Sequence, residues 1–447
     1  MAQSFIGTLQ NLDRASHLHP FTDHRALHEH GTHIILKGEG CYFVDESGRK
    51  ILDGLAGLWC VNVGYSSKAV VQAVTRQLEQ LPYYPSFFDS TTEPTIRLAS
   101  FLAERAPARV KHTIFSNSGS EANETALKAI RAYWKLKGRP DKRKIVSRTF
   151  SYHGVTLATT SMTGLASCQQ PFDLPLADFI LAPGPYSYGA AARDPEAYGE
   201  WCIDETRRLI AGESPETIAG FFVEPVQGAG GVIVPPRGYL AALRQLCRDN
   251  EILFVADEVI TAFGRLGDWF ASNLWDLDPD LISLAKGLTS GYLPMGATML
   301  CHEIAGTLLS GGYFAHGFTY SGHPVCSAAA LANLGEIEAL GLIPRVQRDL
   351  APYFQAKVAE MKGHPAVSEV RGHGLIAALE LVPKGGRAAL TPSSSLGLRA
   401  WSLIREEGAM VRGIRDLIAL APPLIISHSE IDELFDCVGR GLDKLWD

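Results

Sequence analysis

Lys286 ends an apolar run, Leu281-Ile-Ser-Leu-Ala, and is followed at once by Gly287. A short apolar run closed by glycine reads as a buried strand giving way to a loop. A lysine there sits at the edge of a core, where desolvation lowers its pKa and frees a nucleophilic amine, as a Schiff-base lysine requires. The plainer reading is a buried stem whose ammonium reaches water. Asp257-Glu-Val259 ends the run Ile252-Leu-Phe-Val-Ala, and Glu224 ends Gly220-Phe-Phe-Val. Carboxylates at the C-terminal ends of parallel strands stand where open α/β sheets bind ligands, although aspartate there is about as often a helix N-cap. A third group, Ser116-Asn-Ser118-Gly119-Ser120-Glu121, lies between a strand and a long helix. Ser118 and Glu121 fit a capping box, while free N–H groups, two hydroxyls, a glycine and the positive end of the helix dipole make a phosphate seat. It matches neither G-x-x-x-x-G-K-[ST] nor G-x-G-x-x-G, so one phosphate ester fits better than a nucleotide.

The surrounding elements must bring these groups together. Strands are expected at 112–116, 144–148, 178–182, 219–224, 252–257, 281–285 and 296–301, between helices at 94–106, 120–137, 195–211 and 237–249. That alternation predicts an α/β fold with a mostly parallel sheet covered by helices on both faces, and it puts Lys286 on the strand after Asp257. From about residue 322 the pattern turns helix-rich, at 323–340, 344–362, 396–407 and 429–444, with strand-like pieces at 374–382 and from Ile418. This reads as a smaller α+β domain joined by an N-terminal hairpin within 34–52, so that parts 1–75 and 331–447 flank a large domain 76–330. An amine, a carboxylate that keeps a heterocyclic nitrogen protonated and a phosphate seat, gathered at strand ends and a helix start, describe pyridoxal phosphate.

With 46% hydrophobic and 20% charged residues, the chain has the make-up of a soluble globular protein. Its net charge of −7, without a basic stripe, argues against nucleic acid and anionic membranes as partners and for small molecules. Eight scattered cysteines without a C-x-x-C pair read as reduced thiols of the cytoplasm. No apolar run reaches the ~18–20 residues of a membrane span. His19, His24, His28, His30 and His33 crowd one stretch but miss the H-E-x-x-H spacing, so no metal is expected. Ser283-Leu-Ala-Lys286 satisfies the S-x-x-K of acyl-serine hydrolases, yet its companions S-D-N and K-T-G are absent.

The same groups belong to an ordered set of motifs: His19-Pro-Phe21-Thr, Gly57-Leu-Trp59, Asn117-Ser-Gly-Ser-Glu-Ala-Asn123, Tyr152-His-Gly154, Glu224-Pro-Val-Gln-Gly228, Asp257-Glu-Val259, Leu284-Ala-Lys286-Gly, Phe318-Thr319-Tyr-Ser-Gly-His-Pro324 and Val411-Arg412. With that set the sequence resembles, over nearly its whole length, the class III pyridoxal-phosphate aminotransferases of fold type I. It is most similar to the subgroup that passes amino groups from ω-amino acids or amines to pyruvate. The resemblance implies that Lys286 carries the cofactor as a Schiff base and moves the proton at the substrate carbon, while Asp257 binds the ring nitrogen. It also implies that Tyr152 and Val259 sandwich the ring, that Ser118, Gly119 and Ser120 hold the phosphate, and that Glu224 lies at the cofactor site. Thr319 would reach the phosphate of a neighbouring subunit, which implies a homodimer with shared sites. Phe21, Trp59, Phe88, Tyr152 and Ala229 would line the substrate pocket. Arg412 matches a mobile arginine that pairs with a substrate carboxylate and swings aside otherwise, with Glu224 as its partner. Arg415 could take that role, or form a surface salt bridge with Asp416 or Glu406. Lysine, aspartate and phosphate seat serve decarboxylases and mutases as well, and β-alanine, 4-aminobutyrate and taurine all present a terminal amine. Transamination to pyruvate therefore rests on the resemblance.

Overall fold

The computed structural model describes residues 2–186, 194–386 and 395–446, with side chains from residue 6 onward. Its central sheet has seven strands. From one edge to the other they are Val110–Ser116, Gly296–Cys301, Leu281–Leu284, Leu253–Asp257, Ile218–Val223, Lys144–Arg148 and Phe179–Ala182. The last five pair in parallel, whereas Gly296–Cys301 runs antiparallel to both neighbours. Ile218–Val223, Leu281–Leu284 and Gly296–Cys301 are buried at every position. Strands covered on both faces need apolar residues throughout rather than at alternate positions, which is why these segments read as continuous hydrophobic runs. Helices Gly119–Leu136, Pro195–Gly212 and Tyr239–Asp249 cover the sheet, the first burying Ala122, Ala126, Ile130 and Tyr133 along one stripe. The seven strands and the four helices expected in this region begin and end within two residues of the expected positions, while the helix His302–Ser310 and the short helices Leu157–Ser161, Ala166–Gln169 and Ala271–Leu274 are not among the expected elements.

Two smaller sheets use the ends of the chain. Ile35–Glu39, Tyr42–Asp45 and Lys50–Asp53 form an antiparallel meander, and Ala409–Met410 from the C-terminal part adds a parallel strand beside Lys50–Asp53. The other sheet is antiparallel, in the order Val367–His373, Ile376–Leu381, Leu417–Leu420, Arg412–Ile414. All eight cysteines are free thiols. Among the described residues, no single helix is long and apolar enough to cross a membrane.

Three segments differ from expectation. The histidine-rich stretch before residue 35 contains two helices, Ala2–Ser16 and His24–His30. The second buries no residue and is stabilised instead by Asp23, whose side chain accepts the amides of Arg25 and Ala26. It therefore lacks the apolar stripe that would announce it. The expected helix 344–362 is present but irregular, running continuously from Leu342–Arg345 through a π-turn at Val346–Leu350 into Ala351–Glu360. Pro352, which has no N–H to give to the preceding turn, explains the irregularity. The strand-like piece 374–382 is half of a hairpin, whose partner Val367–His373 is only half-buried and so reads as polar.

Candidate active site

The register Asp257↔Ser283 sets the end of the Asp257 strand level with the end of the neighbouring strand, three residues before Lys286. Lys286 then leaves the sheet at φ +44° and opens a single turn, Lys286–Leu288. A non-glycine residue in the left-handed region is strained, so the surroundings must hold it. Asn333 does so: its Nδ2 donates to the Gly287 and Leu288 carbonyls at 2.8 and 3.0 Å, and its Oδ1 accepts Ser290 Oγ at 2.5 Å. Ser290 Oγ in turn accepts the amides of Asn62 and Val63. Lys286 Nζ lies 5.6 Å from the centre of the Trp59 ring and has no hydrogen-bond or ion-pair partner among the described residues. Burial pushes its pKa down, against the opposing pull of Asp257, Cys60 and Glu224.

Asp257 is itself buried, at 4% exposure. Its Oδ2 accepts His153 Nδ1 and Asn123 Nδ2, each at 2.7 Å, and its Oδ1 accepts the Val259 amide at 3.2 Å. Because an ionised carboxylate only accepts, these contacts put the His153 proton on Nδ1.

Helix Gly119–Leu136 starts against these strand ends. A Cβ on Gly119 would stand 3.1 Å from both γ-carbons of Val259, a tight contact that the valine would have to relieve by a few tenths of an ångström, and 3.7 Å from the Ala285 Cβ, so glycine lets the helix start sit close against both. Ser118 Oγ caps the helix by accepting the Glu121 amide at 3.2 Å. Glu121, however, reaches back to the amide and side chain of Asn117, at 2.7 and 2.8 Å, rather than to Ser118. The expected capping box is therefore displaced by one residue, which leaves the Ser118 amide outside it. Ser120 Oγ accepts the Val155 amide at 3.1 Å, and Gly154 (φ +138°) passes so close that a Cβ would lie 2.6 Å from that hydroxyl.

Glu224 follows the next strand of the sheet and is buried, its pKa pushed up to about 7 by burial. Its Oε1 accepts the Tyr152 amide at 2.8 Å and its Oε2 the Gly228 amide at 3.1 Å, so both oxygens tie loops together. Contrary to expectation, the structure shows no hydrogen bond or ion pair between Glu224 and Arg412, and one acceptor site on each Glu224 oxygen is taken by a backbone amide. Arg412 is exposed at the start of the strand Arg412–Ile414, with no hydrogen-bond or ion-pair partner among the described residues. Arg415 points inward to the Gly230 carbonyl at 2.8 Å and lies over the Phe150 ring, its guanidinium carbon 5.3 Å from the centroid. Arg371 Nε donates to the adjacent Gly231 carbonyl, also at 2.8 Å. Two guanidinium groups thus grip the turn that follows Ala229.

The aromatic residues divide. Trp59 is buried among Val226, Val232 and Ile260. Phe21 and Phe88 are 70% and 90% exposed, and Phe88 has its ring contact with Phe87 rather than with Trp59. Thr319 is exposed too, its carbonyl accepting Tyr83 Oη at 2.7 Å. Within one chain, then, Lys286, Asp257, Trp59 and the Ser118 helix start converge, whereas Phe21, Phe88 and Thr319 stand on the surface.

The class-III aminotransferase family model matches residues 25–442. The chain belongs to the class-III aminotransferases. Putrescine–pyruvate aminotransferase of Pseudomonas aeruginosa is 43% identical to this aminotransferase over 436 residues, 97% of this chain and 96% of the relative. Gamma-aminobutyrate transaminase 1, mitochondrial, of Oryza sativa subsp. japonica is 42% identical over 418 residues, 92% and 81% of the two chains. The crystal structure of the omega transaminase from Pseudomonas jessenii in complex with PMP matches with a TM-score of 0.93 at 38% identity, covering 98% of each chain.

Aminotransferases of this class depend on pyridoxal phosphate, and the donor set of this one fits it. There is a partly buried amine with no hydrogen-bond or ion-pair partner among the described residues, a carboxylate fixed by two side-chain donors, and a helix start with hydroxyls at Ser118 and Ser120 beside a closely packed glycine. The mostly parallel sheet agrees with fold type I. Sequence reasoning missed the supports. His153 and Asn123 lie inside quoted motifs, but nothing in their spacing shows that both reach Asp257. Asn333 did carry a signal, since it is a lone amide in the apolar helix Pro324–Ala339 and a buried amide must find partners.

Proposed function

We propose that this aminotransferase takes an amino group from a primary amine or ω-amino acid and passes it to pyruvate, giving L-alanine, in two half-reactions. Support for the substrate pair comes from the 43% identity, along 97% of the chain, to a putrescine–pyruvate aminotransferase. The observation that carries the chemistry is the unpartnered, partly buried Lys286 amine near Asp257, whose pKa is pushed down by desolvation. Pyridoxal phosphate, when bound, supplies the electron sink for a carbanion at the substrate carbon.

The chain's own residues do the rest. Lys286 Nζ anchors the cofactor covalently; once released, it takes and returns the proton at the carbon that bears the nitrogen, and burial favours its neutral form. Asp257, held by His153 and Asn123, keeps positive charge on the ring nitrogen. Amides at the start of helix Gly119–Leu136, with the Ser118 and Ser120 hydroxyls, hold the phosphate. Tyr152 and Val259 flank the ring, and Glu224 sets the Tyr152 loop. Phe21, Trp59, Phe88 and Ala229 shape the substrate pocket, and Arg412 pairs with the carboxylate of an ω-amino acid or of pyruvate. Arg412 rather than Arg415 takes that role because Arg415 is committed to Gly230. The exposure of Phe21, Phe88 and Thr319 supports a homodimer in which these residues complete a neighbour's site.

A donor panel with pyruvate as acceptor tests the reading. L-Alanine should bleach the absorption of the bound cofactor and pyruvate should restore it; release of CO2 without that recovery would refute transamination. In Arg412→Ala, kcat/KM for β-alanine should fall about 10–100-fold with the loss of a charged hydrogen bond worth ~1.5–3 kcal/mol. The donor half-reaction of an amine without a carboxylate should be nearly unchanged. Full activity of that variant with β-alanine and pyruvate sinks the arginine assignment. A second reading, in which 4-aminobutyrate is the dedicated donor, has the rice relative in its favour, and the same panel separates the two.

A further inference from the structure

Far from Lys286 in sequence, the end of the helix Ala2–Ser16 gathers a second set of reactive side chains. Asp13 lies in the last turn of that helix, His17 follows its end with its amide on the Asp13 carbonyl at 2.9 Å, and the chain then brings His19 to the same carboxylate. His17 Nδ1 is 3.0 Å from Asp13 Oδ1, and His19 Nε2 is 2.9 Å from both Asp13 oxygens. One nitrogen or oxygen from each of the three residues lies within 4.8 Å of the other two. The Thr32 hydroxyl also donates to Asp13 Oδ2 and helps to hold the carboxylate in place. Asp13 and His17 also border a cavity of about 30 Å³, shared with Gln10, His24, His28 and Thr32. That is room for about one water molecule.

We propose that Asp13, His17 and His19 form a binding site for a divalent transition-metal ion of the zinc, cobalt or nickel class, with water from the adjoining cavity as a further ligand. Two imidazole nitrogens and one carboxylate oxygen are the donors such ions take, whereas calcium and magnesium require oxygen-rich shells. Bonds of about 2.0–2.1 Å in a tetrahedral shell separate ligand atoms by roughly 3.3 Å, so the ion would spread the present 2.9–3.0 Å contacts to Asp13 by a few tenths of an ångström and bring the two imidazole nitrogens, now within 4.8 Å of each other, to a similar separation. Entry displaces the protons that His17 Nδ1 and His19 Nε2 share with Asp13, because metal ligands must be deprotonated. The histidine set from His19 to His33 failed the zinc-enzyme spacing because two of the three donors, Asp13 and His17, lie upstream of it. Once bound, the ion clips the helix Ala2–Ser16 to the segment that leads into Phe21.

The test uses the untagged holoenzyme, freed of metal by a chelator and then titrated with Co2+ alone. Ligand-field absorption in the red reports binding, and the cofactor's own absorption reports that each variant is folded. The expected outcome is one Co2+ per chain, displaced by Zn2+, with affinity about 100-fold weaker in His17→Ala/His19→Ala and about 10-fold weaker in Asp13→Asn. The pair His24→Ala/His28→Ala, which removes the other imidazoles of the cavity, should keep wild-type affinity. The site is overturned if wild type binds Co2+ no more tightly than His17→Ala/His19→Ala, or if binding is lost in His24→Ala/His28→Ala instead.

Discussion

Asp257 and Glu224 stand at the ends of neighbouring parallel strands, both buried, yet they are held in opposite ways. Asp257 is met by two side chains, His153 and Asn123, and keeps one oxygen lightly engaged by a single amide at 3.2 Å. Glu224 is met by two backbone amides that belong to different loops. Side-chain donors stabilise a charge without immobilising the chain around it, so Asp257 is built to present that charge to a ligand. Backbone donors turn the carboxylate into a fastener, so Glu224 is built to hold the Tyr152 loop against the Gly228 turn. The same strand-end carboxylate thus serves chemistry in one case and shape in the other.

Four substitutions break or sharpen that contrast. Asp257→Asn removes the charge and should lower kcat by about 10²–10⁴-fold, the range of a lost proton-transfer or charge partner; an equal loss of kcat in Glu224→Gln would erase the distinction. Glu224 should show itself in stability instead. Its carboxyl, raised from 4.5 to about 7 by burial, binds more protons folded than unfolded. Its contribution is therefore full below the unfolded value and is lost as pH rises through about 7. The full loss is about 3.5 kcal/mol, at about 1.4 kcal/mol per pKa unit, and roughly 2.5 kcal/mol of it falls between pH 5 and pH 8. Urea unfolding near pH 5 and near pH 8 should show the gap between wild type and Glu224→Gln shrinking by that amount, and a gap independent of pH would mean that the side chain is ionised throughout. His153→Ala, which takes one charged hydrogen bond of ~1.5–3 kcal/mol from Asp257, should slow the donor half-reaction about 10–100-fold. The smallest effect belongs to Arg415→Ala. Freeing one carbonyl of the turn after Ala229 should raise the donor KM about 3–10-fold, for roughly 1 kcal/mol, with kcat little changed; a larger fall in kcat would place Arg415 at the reacting atoms.

How much of this was legible depended on where each residue's partners lie in the chain. The floor of the site could be read because its strands are buried on both faces and their apolar runs stop abruptly at Glu224, Asp257 and Lys286. The phosphate seat was legible as a helix start, but Glu121 capping Asn117 instead of Ser118 turns on a backbone geometry that spacing does not encode. Asn333 and His153 escaped because they act across 45 to 104 positions of sequence, where only the folded sheet reveals neighbours. The helix His24–His30 escaped for the opposite reason: it buries nothing, so no apolar period marked it.

The close approach at Gly119 has a consequence for how this enzyme can change. The Ser118 helix start, Val259 and the strand that leads to Lys286 meet around one missing methyl group, 3.1 Å from Val259 and 3.7 Å from Ala285, so a bulkier residue at any of the three presses on the other two. On the proposed reading, variation in donor range falls to parts that do not touch this junction: the Phe21 and Phe88 segments, the turn after Ala229 and the strand that carries Arg412. A search for new donors should mutate those positions freely and leave Gly119, Val259 and Ala285 alone.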